Sequence, residues 1–211
     1  MVQVAPQPLT FDEFIALYPE DGGRYELRHG VITEMRPISA HEEVISLVRR
    51  KLDFEIERLG LSYFIPQSCL VKPLREAEGY LPDIIVLDGA EAKADPYWQK
   101  HSSISTGKPV RLIVEVVSTN WQDDYLTKLA EYEKLGVPEY WIVDYRALGG
   151  VRFIGSPKVP TVWVYRLLAA AEYAAGQAFL AGQRLTSPTF SELELTVDQI
   201  IAVDQALDLP D

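Results

Sequence analysis

Two carboxylates stand in apolar company where a carboxylate is costly. Asp83 follows Pro82 and opens the run Ile84-Ile85-Val86-Leu87. Glu115 lies inside Leu112-Ile113-Val114-Glu115-Val116-Val117, a run otherwise fit for a buried strand. Strand alternation puts Arg111, Ile113, Glu115 and Val117 on one face and Leu112, Val114 and Val116 on the other. A carboxylate buried there needs a cation, a hydrogen-bond donor or a metal. If adjacent strands bring Asp83 and Glu115 together, the two repel unless a cation sits between them. Oxygen ligands of this kind suit Mg²⁺, which also keeps waters and accepts phosphate oxygens. Lys128 is the third candidate. It shares a helical stripe with Tyr125, Tyr132 and Leu135, residues of core character. Pointed at the carboxylates, it would orient a water or stabilise developing negative charge. Plainer accounts stand beside each: a strand-start residue for Asp83, a solvent-facing edge residue for Glu115, and a snorkelling stem or an ion pair with Glu131 for Lys128.

The elements that must position these residues are legible in outline. Thr10 with Glu13 three residues on is a capping box opening a first helix. Asp21-Gly22-Gly23 reads as a turn, and 25–27 and 31–35 flank His29-Gly30 as a hairpin. Ser39 with Glu42 reads as a second helix start, followed by Val44, Ile45, Leu47, Val48, Leu52, Ile56 and Leu59 at helical spacing up to Gly60. Strand-like runs follow at 61–65, 68–72, 81–87, 110–117 and 140–144, with a helix over 123–135 ended by Gly136 and Pro138. This order predicts an α/β (α+β) core with a mixed sheet. Residues 90–108 read as a polar, irregular surface excursion, and 149–160 as a Gly/Pro linker. Residues 161–165 read as a strand and 197–202 as a short closing helix. The stretch 167–182 fits either a helix or hairpins.

Composition narrows the function classes. The 211 residues carry 20 Lys and Arg against 31 Asp and Glu, a formal charge of −11. The deficit is spread along the chain, and no third of it is basic. A strong non-specific nucleic-acid binder is therefore disfavoured. One cysteine, Cys69, excludes an internal disulfide framework and a Cys-rich zinc site. Three widely spaced histidines make a His-rich metal site improbable. Neither a membrane span nor a signal peptide is evident, so a cytoplasmic protein is expected.

Taken together, Pro82-Asp83, Glu115-Val116-Val117-Ser118, Asp124, Lys128, Tyr132 and the string Gly136-Val137-Pro138-Glu139-Tyr140-Trp141-Ile142-Val143-Asp144 resemble a bacterial family of restriction-endonuclease-like proteins. That family was long catalogued as a domain of unknown function and belongs to the PD-(D/E)XK nuclease superfamily. Arg24-Tyr25-Glu26-Leu27 through Gly30, and His41, match its N-terminal pattern. The resemblance implies one domain over residues 1–211, with its core at about 9–201 and short terminal extensions. It implies a restriction-endonuclease-like mixed central β-sheet flanked by helices, a divalent metal (Mg²⁺ or Mn²⁺), and hydrolysis of phosphodiester bonds in DNA. It makes Asp83 the PD aspartate, Glu115 the second acidic ligand and the carbonyl of Val116 a third ligand. The superfamily lysine would fall at Val117, so its role passes to Lys128 on the following helix. Glu26 becomes an additional acidic residue near the metal, and His41, Ser118 and Tyr132 become pocket residues. A non-enzymatic interaction or regulatory protein that kept the fold is the alternative. A hydrolase of small phosphate esters finds no phosphate-binding loop to support it. DNA is the expected partner, held weakly without sequence preference, and a homodimer is expected.

Overall fold

The computed structural model describes residues 7–36 and 38–207. The outermost terminal residues, 1–6 and 208–211, lie outside the described residues, as does Pro37. In chain order the elements are α1 (Phe11–Ala16), β1 (Arg24–Arg28), β2 (Val31–Met35), α2 (Ser39–Arg58), β3 (Tyr63–Phe64), β4 (Leu70–Val71), β5 (Ile84–Asp88), α3 (Gly89–Ala94), α4 (Trp98–His101), β6 (Ser103–Ile104) and β7 (Val110–Val116). A wide π-type turn (Asp123–Lys128) then runs directly into α5 (Leu129–Leu135). The chain continues with β8 (Glu139–Asp144), α6 (Val151–Ile154), β9 (Thr161–Arg166), β10 (Gln177–Phe179) and α7 (Val197–Leu207).

Six strands form one mixed sheet in the order β10-β9-β8-β7-β5-β3, in which β7 and β8 pair parallel and the other neighbours antiparallel. A parallel pair needs a crossover, and the turn with α5 supplies it between β7 and β8. The alternation expected for residues 111–117 holds. Leu112, Val114 and Val116 pack under α2 with Val44, Val48 and Leu52. Ile113 and Val117 pack on the opposite face with Tyr125, Tyr132 and Leu135. Helices therefore cover both faces of a mixed sheet, as the sequence predicts. Among the described residues no helix is long and apolar enough to cross a membrane.

Local signals hold where they are complete in themselves. Thr10 closes the capping box with Glu13 in both directions. The hairpin of β1 and β2 turns at His29 (φ 52°) and Gly30 (φ 76°), both left-handed, the geometry of a two-residue I′ turn. Gly136, at φ 85°, ends α5. Other expectations need correction. Ser39 is the first helical residue of α2 rather than its cap; Ile38 holds the cap position and offers no side-chain bond. Residues 90–108 are not irregular: Asp88 caps α3 by accepting from the Ala90 and Glu91 amides, and α4 and β6 follow. Residues 149–160 are no linker between units, because the strands on either side, β8 and β9, are neighbours in one sheet. The stretch 167–182 resolves as hairpin: β10 adds to β9, and Leu167 bridges Tyr173. The short runs at 61–65 and 68–72 contract to two-residue strands.

Candidate active site

The register of β5 on β7 sets Ile84 opposite Val114, which brings Asp83, just before β5, alongside Glu115. Asp83 Oδ2 accepts the Val116 amide at 2.8 Å and lies 3.3 Å from His41 Nε2. Its Oδ1 is 3.9 Å from Arg24 Nη2 and takes no direct hydrogen bond among the described residues. His41 reaches this point from the first turn of α2, and its Nε2 also lies 2.9 Å from the Val116 carbonyl oxygen. One imidazole edge thus holds both a carboxylate and a main-chain carbonyl that the family resemblance makes metal ligands.

Glu115 is buried on the face of the sheet opposite α2, among the residues that pack against α5. Tyr132 donates its hydroxyl to Oε1 at 2.8 Å, and Lys128 Nζ lies 3.1 Å from Oε2. Lys128 stands among three carboxylates: Glu115, Glu26 at 3.3 Å and Asp124 at 3.7 Å. Only 6 % of its side chain is exposed. The ion pair with Glu131 considered from spacing does not form; Glu131 binds Arg75 and Lys134 instead. Glu26 comes from β1 and is anchored by the Leu81 amide, which donates to Oε1 at 3.0 Å. Its neighbour on the same strand face, Arg28, faces Glu26 Oε2 at 3.6 Å, pairs with Asp123 and lies over the Tyr80 ring.

The electrostatics follow from this crowding. Burial alone would raise the Asp83 carboxyl, but His41, Lys128 and the Val116 amide outweigh it and hold it below the usual range. For Glu115 burial prevails over the pull of Lys128, with Asp83, Asp124 and Glu26 adding repulsion, so its carboxyl is raised well above the ordinary value. Burial likewise pushes Asp124 up to about 7, despite the attraction of Lys128. The Lys128 ammonium is disfavoured by burial, yet the surrounding carboxylates raise its affinity for the proton well above that of a free lysine. His41 is also raised: the adjacent Asp83 and the Val116 carbonyl overcome its desolvation.

Above this cluster opens a cleft of about 410 Å³. Glu26, His41, Asp83, Ser118 and Lys128 line it, whereas Glu115 and Tyr132 are buried and do not. Arg24, Arg28, Arg36 and Arg146 also line it, with Asp123 and Asp124. Sequence reasoning missed Asp124 as a site residue, although its i, i+4 spacing to Lys128 is a signal for it. It also missed Arg24 and Arg28, which alternate with Glu26 on one face of β1.

The residue types fit a divalent cation. Asp83 and Glu115 with the Val116 carbonyl make an all-oxygen set suited to Mg²⁺ or Mn²⁺ with retained waters, and Asp83 Oδ1 has no competing hydrogen bond among the described residues. Among those residues no three His, Cys, Asp or Glu side chains form a ready cation site, so such an ion would rely on the carbonyl and on water.

Residues 11–198 match the family Uma2, described as "Putative restriction endonuclease". The chain belongs to the Uma2 family. The match spans every element of the cluster, from the hairpin carrying Glu26 to the helical segment carrying Lys128. Among solved structures, a crystal structure titled as a putative nuclease belonging to DUF820, from Anabaena variabilis, superposes with a TM-score of 0.66 at 19 % identity, covering 93 % of this chain and 99 % of that one. At that identity the likeness is one of fold, and it places the Uma2 chain in a nuclease-like architecture. No curated protein matches the chain.

Proposed function

We propose that this protein is a metal-dependent nuclease that hydrolyses phosphodiester bonds in DNA. The observation that carries this reading is the gathering of Glu115, Glu26 and Asp124 around the Lys128 ammonium, with Asp83 set alongside Glu115 by the pairing of β5 and β7, at the base of a cleft in a chain of the Uma2 family. Asp83, Glu115 and the Val116 carbonyl would hold one Mg²⁺ or Mn²⁺. Bound there, the cation supplies Lewis-acid polarisation of the scissile phosphate and acidifies a water.

The chain's own residues supply the rest. His41 fixes Asp83 and the Val116 carbonyl relative to each other, and Tyr132 fixes Glu115, so the donors are oriented before substrate arrives. Lys128, kept charged by its neighbours, neutralises negative charge as it builds on the phosphate. Water oxygen bonds to phosphorus, the bond from phosphorus to a sugar oxygen breaks, and the proton lost by the water balances the one taken up by the leaving oxygen. Incubation of circular DNA with the protein and Mg²⁺ or Mn²⁺ tests this: nicking or linearisation is expected, and Asp83→Ala abolishes it. Absence of cleavage, or cleavage unchanged in Asp83→Ala, overturns it.

Two observations favour a second reading, a non-enzymatic protein that kept the fold. Val117 stands where the superfamily carries lysine, and the charge of −11 opposes nucleic acid. Calorimetric titration with Mg²⁺ and Mn²⁺ separates the two: binding at millimolar or better that vanishes in Glu115→Gln counts against it.

A further inference from the structure

We propose that the cleft receives an unpaired nucleotide, from a single strand or a frayed end of DNA, with its phosphate toward Asp83 and Lys128 and its base against Met35, Ile38 and Leu148. This rests on the nuclease reading above and names its substrate class.

Depth is the first reason. The Asp83 and Lys128 side chains are 4 % and 6 % exposed, and Glu115 is buried and absent from the cleft lining. A phosphate must descend to reach them, and a backbone held in an intact duplex carries its partner strand with it. The opening measures about 410 Å³, within the range of small-molecule sites rather than of a groove for duplex DNA.

The walls are the second reason. Met35, Ile38 and Leu148 contribute apolar lining to the cleft, and Ile38 is 54 % exposed. The flank of a duplex presents phosphates and sugars and has little use for such a surface. An unstacked base offers a broad face to cover it. Arg24 and Arg146 line the same cleft and are placed for the phosphates on either side; Arg146, whose guanidinium lies over the Tyr145 ring, is tied to Asp204 of α7.

Charge is the third. Glu34 and Asp123 share the cleft lining with these cations, and the chain as a whole is strongly acidic. A duplex brings about twice the phosphate charge per unit length of a single strand. Few cations facing few phosphates suit one strand.

The test compares one labelled oligonucleotide offered alone, as a blunt duplex, and as a duplex with an unpaired flap, each with the full chain and Mn²⁺. The single strand and the flap should be cut at least about tenfold faster than the blunt duplex, because withdrawing a paired nucleotide costs its stacking and pairing. Ile38→Asp, at an exposed position, should leave the circular dichroism spectrum unchanged and weaken single-strand binding severalfold by fluorescence anisotropy. A blunt duplex cut as fast as the single strand overturns this inference and leaves the nuclease reading standing. So does unchanged single-strand binding by Ile38→Asp. Failure to cut any of the three removes both.

Discussion

At the scale of the residue, the central group is an ammonium that the fold holds among Glu26, Glu115 and Asp124. Lys128→Met keeps the length of the side chain and deletes the charge, leaving those carboxylates uncompensated. Removing one partner from a buried ionic cluster costs about 3–5 kcal/mol; a urea melt should show the midpoint fall by that equivalent with little change in slope. Asp124 makes a pH prediction. Its carboxyl is raised in the folded protein from the ordinary 3.8 to about 7. The folded state therefore binds more protons than the unfolded one between those values, and this contribution to stability declines as pH rises through that window. Asp124→Asn, which imitates the neutral acid, should flatten that decline in urea midpoints measured across it. Asp83 has the opposite sign: its carboxyl is lowered, so its contribution is present above the ordinary carboxylate value and lost as pH falls below it. Asp83, Glu115 and Lys128 were legible because charge in an apolar stretch is conspicuous in sequence. Arg24 and Arg28 were not, because on a two-stranded hairpin an arginine usually faces water.

At the scale of the element, the hairpin of β1 and β2 is the part that carries Glu26 to Lys128. Its turn depends on Gly30, whose φ is 76° and where an added Cβ would lie 2.2 Å from Pro8 Cβ. Gly30→Ala should cost at least about 1–2 kcal/mol from the left-handed backbone alone, and more from the clash. Thermal unfolding checks this, and any cleavage activity should fall in parallel as Glu26 shifts. Elements whose signals are complete in a few residues, such as the Thr10 capping box and the Gly136 stop, were readable in advance. β10 was readable only as one of two alternatives, helix or hairpin, because Gln177–Phe179 becomes a strand only by pairing with β9. The wide turn at Asp123–Lys128 was invisible for a similar reason. Its sequence reads as ordinary helix, and the burial of Asp124, Tyr125 and Lys128 is a tertiary fact. Such turns are frequent at functional sites.

At the scale of the whole molecule, the charge of −11 bears on substrate binding rather than on the fold. Four arginines line the cleft, Arg24, Arg28, Arg36 and Arg146, and all have carboxylate partners within the protein. They can neutralise only a few phosphates. With Lys128 also lining the cleft and about 0.7 counterions released per phosphate for a single strand, the logarithm of affinity should fall with the logarithm of salt with a slope no steeper than about −3.5. Anisotropy titrations over a salt series measure it, and a much steeper slope would place the nucleic acid on a surface larger than the cleft. The mixed sheet with helices on both faces was legible from element order. The acidity, which at first weighs against nucleic acid, is compatible with a site whose own cations are concentrated where the carboxylates lie.

The most direct test of the central claim, that Asp83, Glu115 and Lys128 form a hydrolytic centre, is the single-turnover cleavage rate of a labelled DNA strand in Mn²⁺ by wild type and by Glu115→Gln. The amide keeps the size of the side chain and an oxygen for the Tyr132 hydroxyl, so the variant should fold, as circular dichroism will report. The rate should drop about 10²–10³-fold, the scale of losing one electrostatic group at a reacting centre. A folded Glu115→Gln protein that cuts as fast as wild type would contradict the account.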